Sequence, residues 1–209
     1  MSETVMVRNR RRPPRRTGLR WIWLGALVLL LIGISIYFIT SFPEDVQKIS
    51  YPLSYVDEIR AQSEQFQLDP ARVAAVIYCE SSFRPEVTSS AGARGLMQIM
   101  PETGAWIAGK FEDIEDYSDD MLFDPNINIR LGCWYLNYLD NLFDGDLTKA
   151  TAAYHSGQGN VSKWLQDEQN STDGVTLMSI PSAATDTYVK RVKQAYEQYK
   201  ELLTNESQA

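Results

Sequence analysis

Glu80 is the residue best placed to do chemistry. It closes the apolar run Val73-Ala74-Ala75-Val76-Ile77-Tyr78-Cys79, and Ser81-Ser82-Phe83-Arg84-Pro85 ends the predicted helix just behind it. The C-terminal end of a helix carries partial negative charge, so an ionised carboxylate there is disfavoured. Apolar neighbours withhold solvation and raise its pKa further. A glutamate kept protonated near neutral pH is a candidate general acid, while a solvated glutamate at a helix end is the ordinary alternative.

Two later blocks supply surfaces for a ligand. Ser89-Ser90-Ala91-Gly92-Ala93-Arg94 leads into Gly95-Leu96-Met97-Gln98-Ile99-Met100-Pro101. A loop rich in Gly, Ser and Ala lets backbone come close to a ligand. Gln98 adds an amide that donates and accepts, and Met97 and Met100 add soft apolar surface. Ala153-Tyr154-His155-Ser156-Gly157-Gln158-Gly159 then sets an aromatic ring and polar groups beside two glycines. Aromatic faces with amides and hydroxyls suit sugar rings, which have apolar faces and hydroxyl rims. Taken singly, the methionines also read as core fillers and the tyrosines as buried aromatics with a satisfied hydroxyl.

The elements that must position these groups read as helices. Asp69-Pro70 is an N-cap followed by Pro in the first turn and opens the Glu80 helix. Asp124-Pro125 repeats the device, opening a helix through Ile127, Leu131, Trp134, Tyr138 and Leu142 that is apolar on so many sides that it is expected at the centre of the core. Ser54 is the expected cap of an earlier helix carrying Val56, Ile59 and Phe66 on one side. Shorter helices are expected near 148–154 and 161–165, and 166–176 as a polar loop. The last helix shows Tyr188, Val192, Tyr196, Tyr199 and Leu203 at helical spacing. The fold class is mainly α.

Residues 21–40 carry no charge over twenty positions. At roughly 1.5 Å per residue they would rise about 30 Å, the thickness of a bilayer core. The run ends without the small-residue site of a cleaved signal, so it reads as a retained anchor. Residues 1–20 hold seven Arg and one Glu, while the remainder carries net −13, giving −7 overall. Positive-inside reasoning puts the basic tail 1–20 in the cytoplasm, and residues 41–52 as a tether leading to an outer domain, 53–209, in a single-pass cell-membrane protein. The acidic outer domain would repel phosphates, so no nucleic acid is expected as partner. The one His, His155, lies in no cluster with metal-ligand spacing, so neither metal nor cofactor is expected. Cys79 and Cys133 are an even pair in an exported region and can form a disulfide, yet each also lies in an apolar helical stretch where a free Cys packs as a small hydrophobe.

Together, Glu80-Ser81-Ser82-Phe83, SSAGARGLMQIMPETG from Ser89, AYHSGQGNV from Ala153 and Thr185-Asp186-Thr187-Tyr188-Val189 resemble the lytic transglycosylases of the soluble (SLT), goose-type-lysozyme-like family. The resemblance spans roughly residues 55–200. It implies a lysozyme-like helical domain, here behind a single N-terminal transmembrane helix, with peptidoglycan glycan strands as partner. Cleavage would fall at the MurNAc–GlcNAc β-1,4 bond, with Glu80 as the single acid/base and a 1,6-anhydro sugar as product. Ser89 would contact the sugar near the scissile bond; Gln98, Met97 and Met100 would line the groove; Tyr154 would sit close to Glu80, and Tyr188 would face the site from the last helix. Two positions depart from the pattern: His155 where many members have Asn, and Ala184 where they often have Glu. A muramidase of the same fold and a catalytically weak glycan-binding scaffold are the alternatives. A Cys79–Cys133 bridge, if formed, would pin the catalytic helix to the core.

Overall fold

A computed structural model describes the backbone of residues 17–41 and 51–206, and the side chains of 23–37 and 51–205. The chain divides into two units, Met1–Gln47 and Lys48–Ala209. In the first, helix α1 runs Thr17–Ser41. Among the described residues no helix is long and apolar enough to cross a membrane. The part of α1 with described side chains, 23–37, rises about 22 Å at roughly 1.5 Å per residue, short of a bilayer core. The expected span 21–40 extends past it on both sides, and most of the expected tail (1–20) and tether (41–52) lies outside the described residues.

The second unit is helical: α2 Val56–Gln65, α3 Pro70–Ser81, α4 Pro101–Ala108, a 3₁₀ turn Asp119–Phe123, α5 Pro125–Leu142, α6 Leu147–Ser156, α7 Gln158–Leu165 and α8 Ala183–Glu206. Extended pairing among the described residues is limited to the isolated bridges Thr88–Arg94 and Arg94–Ile99. Both Asp-Pro starts cap their helices: Asp69 accepts from Ala71 N at 2.9 Å and Asp124 from Ile127 N at 3.0 Å. Asp146 does the same for α6, accepting from Thr148 and Lys149. Ser54 does not cap α2. The N-cap is Tyr55, held at φ 59° with no side-chain bond to the helix.

The centre of the core is α3 rather than α5. Residues 71–77 are buried without interruption, as a helix must be when covered on all sides. Its most extensive packing is against α8, which contributes Tyr188, Val192, Ala195, Tyr199 and Leu203 at spacings of three and four. On α5, Ile129, Leu131, Cys133, Leu136 and Leu139 are buried, but Asn126, Asn141 and Leu142 are exposed, so that helix walls the core rather than threading it. A smaller apolar cluster, including Phe143, Ala150, Ala153 and Val161, lies under α6 and α7.

Candidate active site

Helix α3 ends one residue after Glu80. Its C-cap Ser82 and the next residue, Phe83, both adopt left-handed backbone, φ 51° and 61°. Neither is glycine, so the turn is strained, and such strain concentrates where the surroundings over-determine a functional geometry. Phe83 is 7% exposed and packs at 5.8 Å on Tyr199 of α8, which locks the turn. Glu80 is thereby held half-buried against α8.

There, Glu80 Oε1 accepts a hydrogen bond from Tyr188 Oη at 2.5 Å. Burial raises the Glu80 pKa to about 7, outweighing the Tyr188 bond and the charge of Arg191, which both lower it. Among the described residues no other carboxylate figures in that shift. Such a group holds a proton and releases it near neutral pH, the requirement for acting as acid and base in turn. Burial and the charge of Glu80 push the Tyr188 hydroxyl well above its ordinary pKa, so Tyr188 stays a neutral donor.

His155, exposed at the end of α6, stacks on Tyr188 with ring centroids 4.5 Å apart and shares a 3.1 Å hydrogen bond between Nδ1 and Thr185 Oγ1. Partial burial lowers its pKa below the ordinary imidazole value. Tyr154, beside it, donates to Met97 O at 2.8 Å, and the charge of Glu80 helps raise its hydroxyl pKa. The end of α6 is thus tied to the GLMQ loop on one side and to α8 on the other. Ala184 is exposed in the first turn of α8.

The loop residues divide. Met100 is 37% exposed at the start of α4, available to a ligand. Ser89 closes its own turn, its hydroxyl oxygen accepting from Ala93 N at 3.0 Å. Gln98 sits at φ 48°, and its Nε2 donates to Val87 O and Gly95 O, so the amide first holds the loop. Met97 corrects an expectation. Its side chain has no exposed surface, and a Cβ placed on Gly132 would fall 2.2 Å from its Sδ, so it fills core opposite that glycine instead of touching sugar. Gly95 likewise serves packing rather than ligand approach. At φ 78°, its missing Cβ leaves room for Leu122 O and the Asn128 amide.

Asn128 was not singled out in the sequence. It is fully buried, donates to Arg94 O and Leu122 O, and accepts from Met97 N at 2.7 Å, fixing the loop to α5. Its signal was an amide among the apolar positions of α5, which a buried site tolerates only when every polar atom is partnered. Arg191, three residues beyond Tyr188, had only its helical spacing to give it away. For the cysteines the sequence left two readings open. Both are free thiols, Cys133 buried and Cys79 half-buried. Burial raises both pKa values, that of Cys79 to about 11, so each behaves as a small hydrophobe.

The model of the transglycosylase SLT domain matches residues 57–177. The chain belongs to this family. Soluble lytic murein transglycosylase of Escherichia coli (strain K12) is 35% identical over 150 residues, covering 71% of this chain and 23% of that protein. Membrane-bound lytic murein transglycosylase C of Sodalis glossinidius is 30% identical over 164 residues, covering 75% of this chain and 42% of that protein. The X-ray structure of an inactive mutant of the lytic transglycosylase Slt from Pseudomonas aeruginosa, carrying a Glu-to-Gln change, superposes with a TM-score of 0.68 at 31% identity, over 84% of this chain and 30% of that one. This SLT chain therefore shares the mainly helical, lysozyme-like fold and spans about a quarter of the length of the first of these relatives.

Proposed function

We propose that the chain is a peptidoglycan lytic transglycosylase with Glu80 as its single acid/base. The observation that carries the reading is a half-buried carboxyl at a strained helix end, its pKa raised to about 7 and its hydrogen-bond partner a neutral tyrosine. Glu80 protonates the oxygen bridging MurNAc and GlcNAc, and the C1–O bond breaks. The carboxylate then takes the proton of the C6 hydroxyl on the same MurNAc as that oxygen closes on C1. Glu80 ends protonated as it began, no water is consumed, and a 1,6-anhydro ring is left. Glycosidases that use water or an enzyme nucleophile need a second carboxylate. An intramolecular hydroxyl has a high effective molarity, which replaces it. Ser89, Gln98 and Met100 border the sugar, Tyr154 and His155 flank it from α6, and Tyr188 steadies the carboxylate. The names of the relatives, and the inactivity of a Glu-to-Gln mutant in one of them, support this assignment.

We further propose that residues 21–40 anchor the enzyme, with 1–20 cytoplasmic and 53–209 outside beyond a tether at 41–52. Support comes from the uncharged run, from the large apolar side chains of 23–37 such as Trp23, Leu29 and Leu30 that stand exposed, and from the name of the membrane-bound relative.

Mass spectrometry of fragments released from purified sacculi tests the activity. An anhydro product, lighter than the hydrolysed one by one water, is expected. A reducing end would make the chain a muramidase, and no release would leave a glycan-binding scaffold.

A further inference from the structure

Among the described residues of 51–205, Trp106 is the one Phe, Trp or Tyr that stands exposed, at 40%. It lies on α4, the helix that starts where the GLMQ loop ends, six positions after the exposed Met100. Three rings of α5 hold it edge-on: Trp134 at 5.3 Å and 81°, Tyr138 at 5.2 Å and 79°, and Tyr135 at 6.4 Å and 89°. Trp134 and Tyr138 are themselves parallel within 5°. Edge-to-face packing of this kind fixes the indole before any ligand arrives, so little side-chain entropy remains to be lost on binding. Lys110 Nζ lies over the ring, 5.7 Å from its centroid, an exposed cation that a stacking sugar would displace.

The wall leads back to the catalytic side. Tyr135 lies 5.5 Å from Tyr154, the tyrosine whose hydroxyl feels the charge of Glu80. Two ring-to-ring steps through packed side chains therefore join the indole to Tyr154. The three neighbours of the indole are half-buried, whereas Trp106 keeps more of its surface in water. Exposed apolar groups gathered beside a polar cleft mark a binding surface.

We infer that Trp106 is a stacking platform for a sugar ring remote from the scissile bond, so that the groove grips long glycan strands better than short ones. This rests on the transglycosylase reading for the identity of the strand. The test uses the full chain. In an E80Q background, which leaves strands uncut, affinity for purified glycan strands of graded length is measured by calorimetry with Trp106, Trp106→Ala and Trp106→Phe. The alanine variant should bind long strands about tenfold more weakly, an effect on the scale of one aromatic contact. The loss should shrink as the strand shortens, and phenylalanine should restore most of it. An equal loss at every length would make Trp106 a structural residue, and no loss, or no strand binding at all, would also overturn the platform. Because binding is read without turnover, a hydrolysed product from the wild type would refute the transglycosylase reading while leaving this result standing.

Discussion

Helix α3 carries a charged residue near each end, and each sits where the helix dipole disfavours its sign. Arg72, the third residue, meets the positive end; Glu80, the next to last, meets the negative end. The two are answered differently. Arg72, 6% exposed, forms a bidentate pair with Asp140 at 2.5 and 2.8 Å, leaving only Nε without a partner. Glu80 bonds to a neutral hydroxyl, and the charge of Arg191 offsets only part of the cost of burial. One buried charge is neutralised by a fixed opposite charge, the other by taking a proton. The first arrangement holds α3 to α5; the second leaves a proton that exchanges near neutral pH.

Substituting at the two ends should therefore damage different things. Glu80→Gln keeps the shape and removes the proton, so release of anhydro product should fall at least about a thousandfold with the fold intact. Product assay beside a thermal melt checks both halves, and residual activity within tenfold of wild type would end the catalytic assignment. Arg72→Ala should do the reverse. It leaves the half-buried Asp140 without its partner, at a cost of about 1–3 kcal/mol, read as a lowered denaturation midpoint. Turnover, measured where the variant is still folded, should stay near wild type. Replacing both partners, Arg72→Met with Asp140→Leu, should recover most of that stability, because the penalty belongs to the orphaned charge.

This contrast explains what could be read from the sequence. The Glu80 end was legible because its signals are local: an apolar run, an acid and a helix stop. Asp69-Pro70 and Asp124-Pro125 were legible for the same reason, and so was the helical class. The Arg72–Asp140 pair joins residues 68 positions apart, and nothing local in either sequence window predicts it. Asn128, Met97 and Gly95 follow the same rule, since their roles depend on which segments meet at the loop between α3 and α4. Ser54 failed as a cap because Tyr55 took a left-handed backbone that composition does not forecast. For the cysteines, parity left a bridge and free thiols both open, and only the fold could separate them.

The cost of leaving Glu80 unanswered should be measurable as stability. Its folded-state pKa lies above its unfolded value, so the proton binds more tightly in the folded chain. That contribution is fully present below about pH 4.5 and is lost as pH rises through about 7. A shift of this size corresponds to about 3 kcal/mol. Glu80→Gln, which does not titrate, should therefore be more stable than wild type at pH 8 by an amount of that order, and equal to it near pH 4. Denaturant melts across that window check it. A variant less stable than wild type at pH 8 would mean that the carboxylate is stabilised by contacts beyond Tyr188 and Arg191, and the contrast with Arg72 would disappear.

The smallest effect is expected from the one hydrogen bond that Glu80 does have. The Tyr188 hydroxyl favours the carboxylate over the acid, so Tyr188→Phe should raise the Glu80 pKa above about 7. The alkaline limb of the turnover profile, where the acid form runs out, should move to higher pH. The rate at neutral pH should fall about tenfold, because the carboxylate that forms as Glu80 gives its proton to the bridging oxygen loses its charge-assisted bond. The direction of the limb is the discriminating readout, since a merely structural tyrosine would lower the rate at every pH and leave the limb in place. A limb that stays put would assign the tuning of Glu80 to burial and Arg191, with Tyr188 and its stacked neighbour His155 serving to exclude water. A limb that moves up would make Tyr188 a partial counterpart of Asp140, a partner that steadies the group without fixing its charge.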